Sequence, residues 1–267
     1  MNKNILDYYA QNRTPYLHGG GRKASLHLFH QLNIKGNETI LEIGFGIGAS
    51  LMSLQNKFPE LNLFGVEKNA HMYQAAKQRL KSSQVNLNHL HLLNKKNPLP
   101  FSPLSFDIIY LESVLGILTL EHIQALLIEI TRLLKPDGLL GLNDTLWLPW
   151  VPMNERQRIN QSCIKAWGIP QSNEYLIHQK DWKKVLKKAG LELNYFDKWD
   201  AKHFNQRPSF KEHSTRLKDK IVQNINTLKK ENRKKATSLK TLTKKLFIED
   251  KAYLNSYIMT AKKINNE

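Results

Sequence analysis

"LEIGFGIGAS", residues 41–50, places three glycines at alternate positions directly after an apolar run. Gly44, Gly46 and Gly48 lie where the sequence pattern changes from strand to helix. A glycine backbone can pass close under a ligand that a Cβ atom would exclude, and the N–H groups that open the helix are expected to point at that ligand. The stretch therefore predicts a nucleotide-type turn.

Two acidic residues frame this turn. Glu67 follows Gly48 by 19 positions, at the end of the next apolar run, where a carboxylate accepts hydrogen bonds from ribose hydroxyls. Glu42 lies in the first strand, and a buried carboxylate needs a cationic or hydrogen-bonding partner. An amino-acid ammonium group supplies such a partner, whereas a pyrophosphate would be repelled. The pair predicts S-adenosylmethionine as the cofactor, although the glycines alone also fit an NAD-binding turn.

Strands and helices alternate along most of the chain. Apolar runs predict strands over residues 39–43, 61–66, 85–93, 105–111, 139–142 and 190–196. Helical spacing predicts helices over residues 49–58, 68–80, 121–134, 156–167 and 180–188, with a turn at residues 135–138. Such alternation is typical of an α/β fold with a Rossmann-like, doubly wound and mostly parallel sheet.

The last part of the chain breaks this alternation. Residues 210–246 predict a helical insert whose apolar stripe, Leu217, Ile221, Ile225 and Leu228, packs on the domain and leaves its lysines outward. Residues 252–263 predict a final strand. From Ala201 onward, 17 Lys and Arg stand against 6 Asp and Glu, so +11 of the net charge of +17 lies here. The basic part favours an anionic membrane, a nucleic acid or an acidic ligand, or simply forms a solvated surface.

Composition indicates one cytoplasmic domain. The 267 residues are 41% hydrophobic, enough for a sizeable core. No apolar run approaches eighteen residues, and the polar N-terminus does not fit a secretory signal. The single cysteine, Cys163, excludes an internal disulfide and is expected to be a buried structural thiol. His89 and His91 share one side of a strand but have no third ligand in view, so no metal site is predicted.

The chain resembles the class I S-adenosylmethionine-dependent methyltransferases, in the small-molecule branch that includes quinone C-methylases, sterol and tocopherol methyltransferases and phosphoethanolamine methyltransferases. The stretches that carry the resemblance are "ILEIGFGIGAS", "LFGVEKN", "NPLPFSPLSFDIIYLESVLGIL", "EITRLLKPDGLLGLND" and "DWKKVLKKAGLELNYF". It implies a seven-stranded sheet with an antiparallel last strand and a helical insert before it. The implied divisions are a lid segment over residues 1–36, the core over 37–200, a basic helical insert over 201–250 and the final strand over 251–267.

The resemblance also implies the cofactor-binding residues. They are Glu42, Gly44, Gly46, Gly48, Glu67 and Glu112 in the core, and Tyr16, His18, Gly19 and Gly20 in a lid over the methionine end. The alternative for the last four is a simple N-terminal loop. The family usually has an Asp that accepts the adenine amino group, but Lys95 stands there and cannot accept this hydrogen bond. Either Asn94 replaces it, or backbone and apolar contacts from Lys68, Asn69 and Leu111 hold the adenine.

Methyl transfer needs no universal catalytic residue, because the donor is already activated. A base is required only for an acceptor that must lose a proton, and the candidates are His18, Glu112, His122 and Asp144.

The acceptor site is less well defined by the sequence. Trp147, Trp150, Trp167 and Met153 either line a pocket for an apolar, aromatic or lipid-like small molecule or belong to the core. Two other functions stay open: an RNA methyltransferase that uses the basic C-terminal region, and a noncatalytic or NAD-binding protein of the same fold. Peripheral contact with an anionic membrane is a possible partner interaction, and nucleic acid is the less favoured one because "YLES" replaces the tetrad of many base-methylating enzymes.

Overall fold

Seven strands form one mixed sheet in the computed structural model of the chain, which describes residues 4–82, 89–93, 98–200, 210–227, 229–248 and 251–265. The strands are β1 (Thr39–Ile43), β2 (Asn62–Glu67), β3 (Leu90–Leu92), β4 (Phe106–Glu112), β5 (Leu134–Trp147), β6 (Leu191–Lys198) and β7 (Leu254–Lys263). Their order across the sheet is β3-β2-β1-β4-β5-β7-β6. The first five strands pair in parallel, and β7 runs antiparallel to β5 and β6. The predicted Rossmann-like sheet with an antiparallel last strand is confirmed.

Helices cover both faces of this sheet. They are α1 (Ile5–Gln11), α2 (Gly21–Gln31), α3 (Ala49–Lys57), α4 (Ala70–Ser82), α5 (Leu120–Leu133), α6 (Met153–Trp167), α7 (Gln179–Lys188), α8 (Phe210–Thr227) and α9 (Lys230–Leu246). Side chains of β1 alternate between the two faces, as strand geometry requires. Leu41 and Ile43 pack with α5 and α7, whereas Ile40 packs with α2 and α3. The continuous apolar run of β1 is therefore explained by burial on both sides.

The strand order reverses between β1 and β4. β2 and β3 extend the sheet on one side of this point, and β5 extends it on the other. In open α/β sheets a crevice forms at such a switch point, outside the carboxyl ends of the strands. Glu42 near the end of β1 and Glu112 at the end of β4 both lie at this crevice.

Two predicted boundaries differ from the structure. The turn predicted at residues 135–138 lies inside β5, which begins at Leu134 directly after α5. Asp137 adopts a φ of +59°, and the ladder between β4 and β5 shifts register between Phe106 and Ile108. Residues 135–138, which favour a turn, thus form a bulge within the strand. Of the predicted strand 85–93, residues 85–88 lie outside the described residues, and β3 forms from its end.

The helical insert exists, but the two described residues of its predicted apolar stripe do not pack on the domain. Ile221 and Ile225 are 53% and 56% exposed, and the side chains of residues 217 and 228 lie outside those described. The described part of α8 makes polar contacts with the core. Asp219 lies 2.5 Å from Arg79 of α4, and Asn226 donates a hydrogen bond of 2.8 Å to the backbone oxygen of Gln11.

A third cluster joins α9 to the end of β5. Its buried members are Trp147, Val151, Ile159, Cys163, Leu246 and Tyr253. Cys163 is therefore the predicted structural thiol, and burial raises its pKa to about 12. Within the described ranges, none of the helices has both the length and the apolar character needed to cross a membrane.

Candidate functional site

A cavity of about 600 Å³ lies at the switch point between β1 and β4. Its wall comes from the carboxyl ends of β1, β2 and β4, from the N-terminal segment and from the first turns of α5. The predicted site residues that line it are Tyr16, His18, Glu42, Gly44, Gly46, Glu67, Lys68 and Glu112. Most of the predicted cofactor residues, which are spread over 97 positions of the chain, are therefore brought to one cavity.

The glycine turn has the backbone conformation that glycine permits. Gly44, Gly46 and Gly48 have φ values of +77°, +55° and +73°. A Cβ on Gly46 would project into open space at the cavity, whereas one on Gly44 would lie 2.6 Å from Val114. Gly46 therefore keeps space free for a ligand, and Gly44 is required by packing.

The amides of these three glycines are satisfied within the protein. Gly44 donates to the oxygen of Val66, Gly46 to Oε2 of Glu67 and Gly48 to the oxygen of Phe45, each at 2.8 Å. The three glycine N–H groups are therefore not available to a ligand, and the expectation for the N–H groups that open α3 stays a prediction. A pyrophosphate would have to replace these bonds, which argues against an NAD-type turn.

Glu67 accepts three backbone hydrogen bonds at the end of β2. Gly46 donates to Oε2, and Lys68 and Asn69 donate to Oε1 at 2.8 and 2.7 Å. Oε1 thus uses both of its lone pairs, and Oε2 keeps one lone pair for a ligand hydroxyl. The carboxylate is thus held rigidly at the cavity wall, as expected for a group that binds a ribose.

Glu42 is a buried carboxylate without a basic partner. Ser50 Oγ donates to Oε1 at 2.6 Å, and Tyr110 Oη donates to Oε2 at 2.8 Å. No Lys or Arg in the described parts of the chain forms an ion pair with it. Desolvation, with repulsion from Glu112 second, raises the pKa of Glu42 to about 8. A ligand cation at this wall would find a partner that the protein does not otherwise supply.

Glu112 is the centre of a buried hydrogen-bond network. Ser25 Oγ lies 2.9 Å from both carboxylate oxygens, and Asn143 Nδ2 donates to Oε2 at 2.9 Å. His18 Nε2 lies 3.2 Å from Oε2. His18 Nδ1 lies 2.8 Å from Asn143 Nδ2 and 3.2 Å from the backbone oxygen of Gly19, so this nitrogen accepts in the first contact or donates in the second, according to the tautomer. The network joins the N-terminal segment to the ends of β4 and β5.

The rest of the predicted lid is divided between the cavity and the core. Tyr16 has a φ of +52°, and its hydroxyl lies 2.8 Å from Ser53 Oγ and 3.2 Å from the oxygen of Ala49. Gly19 and Gly20 lie outside the cavity wall: a Cβ on Gly19 would meet Ser256, and one on Gly20 would meet Trp199. The two glycines allow the chain to pass close to β7 and to begin α2.

The predicted adenine contacts are placed only in part. Lys68 and Asn69 line the cavity together with Leu93 and Leu99. Leu111 is fully buried in the core beneath it and does not line the wall. Asn94 and Lys95 lie outside the described residues.

The other candidate bases occupy different environments. His122 lines the cavity in the first turn of α5, where Thr119 Oγ1 caps the helix and lies 2.9 Å from His122 Nδ1. Asp144 is buried behind the turn at residues 115–117 and does not line the cavity. Gly116 N–H donates to Asp144 Oδ1 at 3.1 Å, and desolvation raises the pKa of Asp144 to about 7. The geometry favours Glu112 with His18 over Asp144.

The tryptophans predicted as pocket walls do not line the cavity. Trp147 is buried in the cluster beside α9, which is the core alternative, and Trp167 packs against the same cluster. Trp150 and Met153 are 43% and 37% exposed on the outside.

The two histidines that share one side of the predicted third strand pack against aromatic rings. His89 stacks on Phe64 at 4.4 Å between ring centroids, and His91 meets Phe101 edge-on at 5.3 Å.

Four residues that hydrogen-bond to Glu42 or Glu112 were not predicted from the sequence: Ser25, Ser50, Tyr110 and Asn143. The signal for Asn143 was present, because it directly follows the predicted strand 139–142; in the structure it lies within β5, opposite Glu112 of β4. Ser25 on α2 carries no such signal, because its position depends on how the N-terminal segment packs.

The cavity fits S-adenosylmethionine. Glu42 would offer a buried carboxylate to the ammonium of the methionine tail, and Oε2 of Glu67 would offer an acceptor to a ribose hydroxyl. Gly46 leaves room where a Cβ would intrude. Leu93, Leu99 and Met72 supply apolar wall for a base.

Known proteins resemble the chain in sequence and fold. Residues 40–138 match a family model described as a methyltransferase domain. A sterol 24-C-methyltransferase of Clavispora lusitaniae is 24% identical over 172 residues, which cover 63% of this chain and 44% of the relative. An uncharacterized methyltransferase of Bacillus subtilis is 27% identical over 183 residues, 66% of this chain and 69% of the relative.

A solved structure shows the same fold. Phosphoethanolamine N-methyltransferase 2 of Haemonchus contortus, in complex with S-adenosyl-L-methionine, superposes with a TM-score of 0.67 at 17% identity, over 98% of this chain and 57% of that one. The chain thus spans less than half of the sterol enzyme and little more than half of the Haemonchus enzyme. Residues 40–138 thus match a methyltransferase domain, and the strand order and the carboxylates at the ends of β1 and β2 agree with the resemblance to the class I S-adenosylmethionine-dependent methyltransferases.

Proposed function

We propose that this chain transfers the methyl group of S-adenosylmethionine to a small-molecule acceptor that binds in the same cavity, beside Glu112. The supporting observation is that two buried carboxylates, Glu42 and Glu112, line one cavity from the ends of neighbouring strands. One of them suits the cationic tail of the cofactor, which leaves the other for the acceptor.

Methyl transfer requires mainly that the protein hold the acceptor and the methyl donor in the correct relative position. S-adenosylmethionine supplies a methyl group on a sulfonium, which is transferred by in-line displacement. The chain's own residues must hold the acceptor and exclude water. Leu17, Ile117, Leu118 and Ile169 supply apolar wall for this purpose. His18 and Glu112 supply polar groups that can orient a hydroxyl or amine, and Glu112 can take up its proton.

Relatives favour a small acceptor. A sterol methyltransferase and a phosphoethanolamine N-methyltransferase of Plasmodium falciparum are among them, and both names describe small molecules. The acceptor itself is proposed only as a class: an apolar or lipid-like body with one nucleophilic oxygen, nitrogen or enolisable carbon. The internal hydrogen bonds of the three glycine amides argue against the NAD-binding alternative.

Calorimetry on the full chain tests the cofactor. S-adenosylhomocysteine should bind with one site per chain, and NAD should give no heat above dilution. Tight NAD binding with no response to S-adenosylhomocysteine would contradict the proposal.

Turnover tests the acceptor side. Extracted lipids, sterols, quinols and small amines are offered with S-adenosylmethionine, and S-adenosylhomocysteine release is measured. Glu112→Gln should lower kcat at least tenfold while the affinity for S-adenosylhomocysteine changes less than threefold. Glu60→Gln, an exposed carboxylate, is the control and should leave both unchanged. Full activity of Glu112→Gln would remove Glu112 from the acceptor site.

A further inference from the structure

Over residues 218–226, where the structure describes the side chains of α8, the polarity of the two sides of the helix is inverted. Its inward side carries Asp219, paired with Arg79 and 3% exposed, and Asn226, which bonds to the N-terminal segment and is 9% exposed. Its outward side carries Ile221 and Ile225, one helical turn apart and more than half exposed. A helix that only covers a core places its apolar residues inward. The reversal indicates that the outward side of α8 has an apolar partner outside the domain.

The exposed side of α9 is strongly basic. Lys234, Lys240, Lys244 and Lys245 are all exposed, and no Asp or Glu occurs between Asn232 and Phe247. The opposite side of the helix faces the protein, where Asn232 and Leu246 are buried. α9 contacts α8, and Asn232 Nδ2 donates to the oxygen of Asn226 at 3.1 Å. The two isoleucines and the lysines thus lie on the exposed sides of two helices in contact, and together they are here called the hairpin face.

An exposed tryptophan extends this surface beyond the end of α9. Ile248 is 64% exposed and Trp150 is 43% exposed. Lys251 Nζ lies 3.8 Å from the centroid of the Trp150 ring, and Trp150 packs on Tyr253 at 4.9 Å. Tyr253 belongs to the cluster that buries Leu246, so the tryptophan is fixed next to the basic helix. Tryptophan and lysine together are typical of a membrane–water interface.

We propose that the hairpin face, Ile221 and Ile225 with Lys234, Lys240, Lys244 and Lys245, docks this protein on an anionic lipid surface. The lysines are attracted to acidic headgroups, and the isoleucines enter the boundary between headgroups and acyl chains. Contact of this kind is peripheral and needs no spanning helix. It goes beyond the proposed methyl transfer and does not depend on it.

Charge and composition disfavour the other occupants. A second copy of the chain would bring lysines opposite lysines, because a two-fold interface pairs a surface with itself. The last 67 residues carry 17 Lys and Arg against 6 Asp and Glu, so this repulsion is not offset locally. A single-stranded nucleic acid would need a series of aromatic rings for successive bases, and this surface offers one exposed tryptophan, Trp150, beside isoleucines among its described residues.

Flotation of the full chain with lipid vesicles tests the proposal. Vesicles of phosphatidylcholine with about one third phosphatidylserine should retain the protein at low salt, and vesicles of phosphatidylcholine alone should not. Ile221→Ser/Ile225→Ser should lower the partition coefficient about tenfold or more, because both side chains lose apolar burial in the lipid. Lys234→Gln/Lys240→Gln/Lys244→Gln should lower it by at least as much and remove most of its salt dependence.

Matched controls come from other helices. Ile128→Ser on α5 removes an isoleucine that is also 53% exposed, and Lys180→Gln/Lys183→Gln/Lys184→Gln on α7 removes the same charge. Both should bind vesicles like the parent, and S-adenosylhomocysteine binding should be unchanged in every variant.

The proposal would be overturned if the isoleucine variant bound vesicles like the parent, or if the control variants lost as much vesicle binding as the hairpin-face variants. It would also be overturned if the parent were a dimer that bound no vesicles and the isoleucine variant were a monomer. Binding of an RNA oligonucleotide in place of vesicles would overturn it as well and would assign the face to nucleic acid.

Discussion

His18 Nε2 lies 3.2 Å from Glu112 Oε2, and both side chains are buried at the wall of the cavity. The contact closes the N-terminal segment over the end of β4. Because Ser25 and Asn143 hold the same carboxylate, the position of Glu112 is fixed from three separate elements: α2, the N-terminal segment and β5. A site that depends on position rather than on acid strength is well served by such a network.

Removal of His18 should loosen the N-terminal segment. His18→Ala breaks the contacts to Glu112 and Asn143, and we expect a loss of about 1–2 kcal/mol in the free energy of unfolding. Hydrogen exchange of residues 12–20 should speed up more than that of β1. His71→Ala, an exposed histidine on α4, is the control and should change neither quantity. Unchanged exchange in His18→Ala would show that packing alone holds the segment.

Gly46 and Gly21 allow a matched test of the turn. Both have a φ of +55°, and a Cβ on either would meet nothing within 4 Å. Substitution by alanine therefore costs a similar backbone strain of about 1–2 kcal/mol at the two sites. Only Gly46 lines the cavity, so Gly46→Ala should weaken S-adenosylhomocysteine binding more than tenfold, whereas Gly21→Ala should not. Equal affinities in calorimetry would mean that the ligand does not approach the turn.

Glu42 should make both stability and cofactor binding depend on pH. Its pKa in the folded chain is about 8, above the ordinary value of 4.5, so the folded state binds the proton more strongly than the unfolded state. The stabilisation is complete below about pH 4.5 and is lost as the pH rises towards 8. Glu42→Gln should flatten this decline in chemical unfolding between pH 5 and 8.

Cofactor binding separates Glu42 from Asp144. Asp144 has a pKa of about 7 and should contribute a similar decline between about pH 4 and 7, but it does not line the cavity. If the ammonium tail lies beside Glu42, binding near pH 6.5 must release a proton. Calorimetry in two buffers of different ionisation enthalpy should show this release in the parent and in Asp144→Asn but not in Glu42→Gln. Release that persists in Glu42→Gln would place the ammonium elsewhere.

The sequence predicts the sheet better than the surfaces around it. β1 and the turn after it follow from local rules, because a strand buried on both sides is continuously apolar and a ligand-facing turn needs glycine. The stripe of Ile221 and Ile225 was misplaced because helical spacing shows which residues share a face, not which way that face points. Ser25 is a polar residue without a local pattern. Only the packing of the N-terminal segment brings it to Glu112, so spacing along the chain did not reveal it.

The Arg79–Asp219 pair should control the attachment of the insert. Both side chains are almost fully buried, and the pair is the shortest ion pair between α8 and the core in the described chain. Burial raises the pKa of Asp219 in spite of the neighbouring guanidinium, so desolvation outweighs the attraction. Such a pair adds little net stability, but loss of one partner leaves a buried charge and costs about 3–5 kcal/mol.

We therefore expect that replacing Asp219 alone loosens α8 and that replacing both partners restores its attachment. Asp219→Ala should release α8 and increase the rate of proteolysis within residues 201–250. Detachment of the helix lets water solvate Arg79, which costs less free energy than keeping its unpaired charge buried. Arg79→Met/Asp219→Leu should restore protection, because two apolar side chains can pack in the same space. Glu155→Ala breaks the exposed pair with Arg158 and should change stability by less than about 0.5 kcal/mol. Proteolysis of Asp219→Ala at the rate of the parent would show that the insert is held by the cluster around Leu246 and not by this pair.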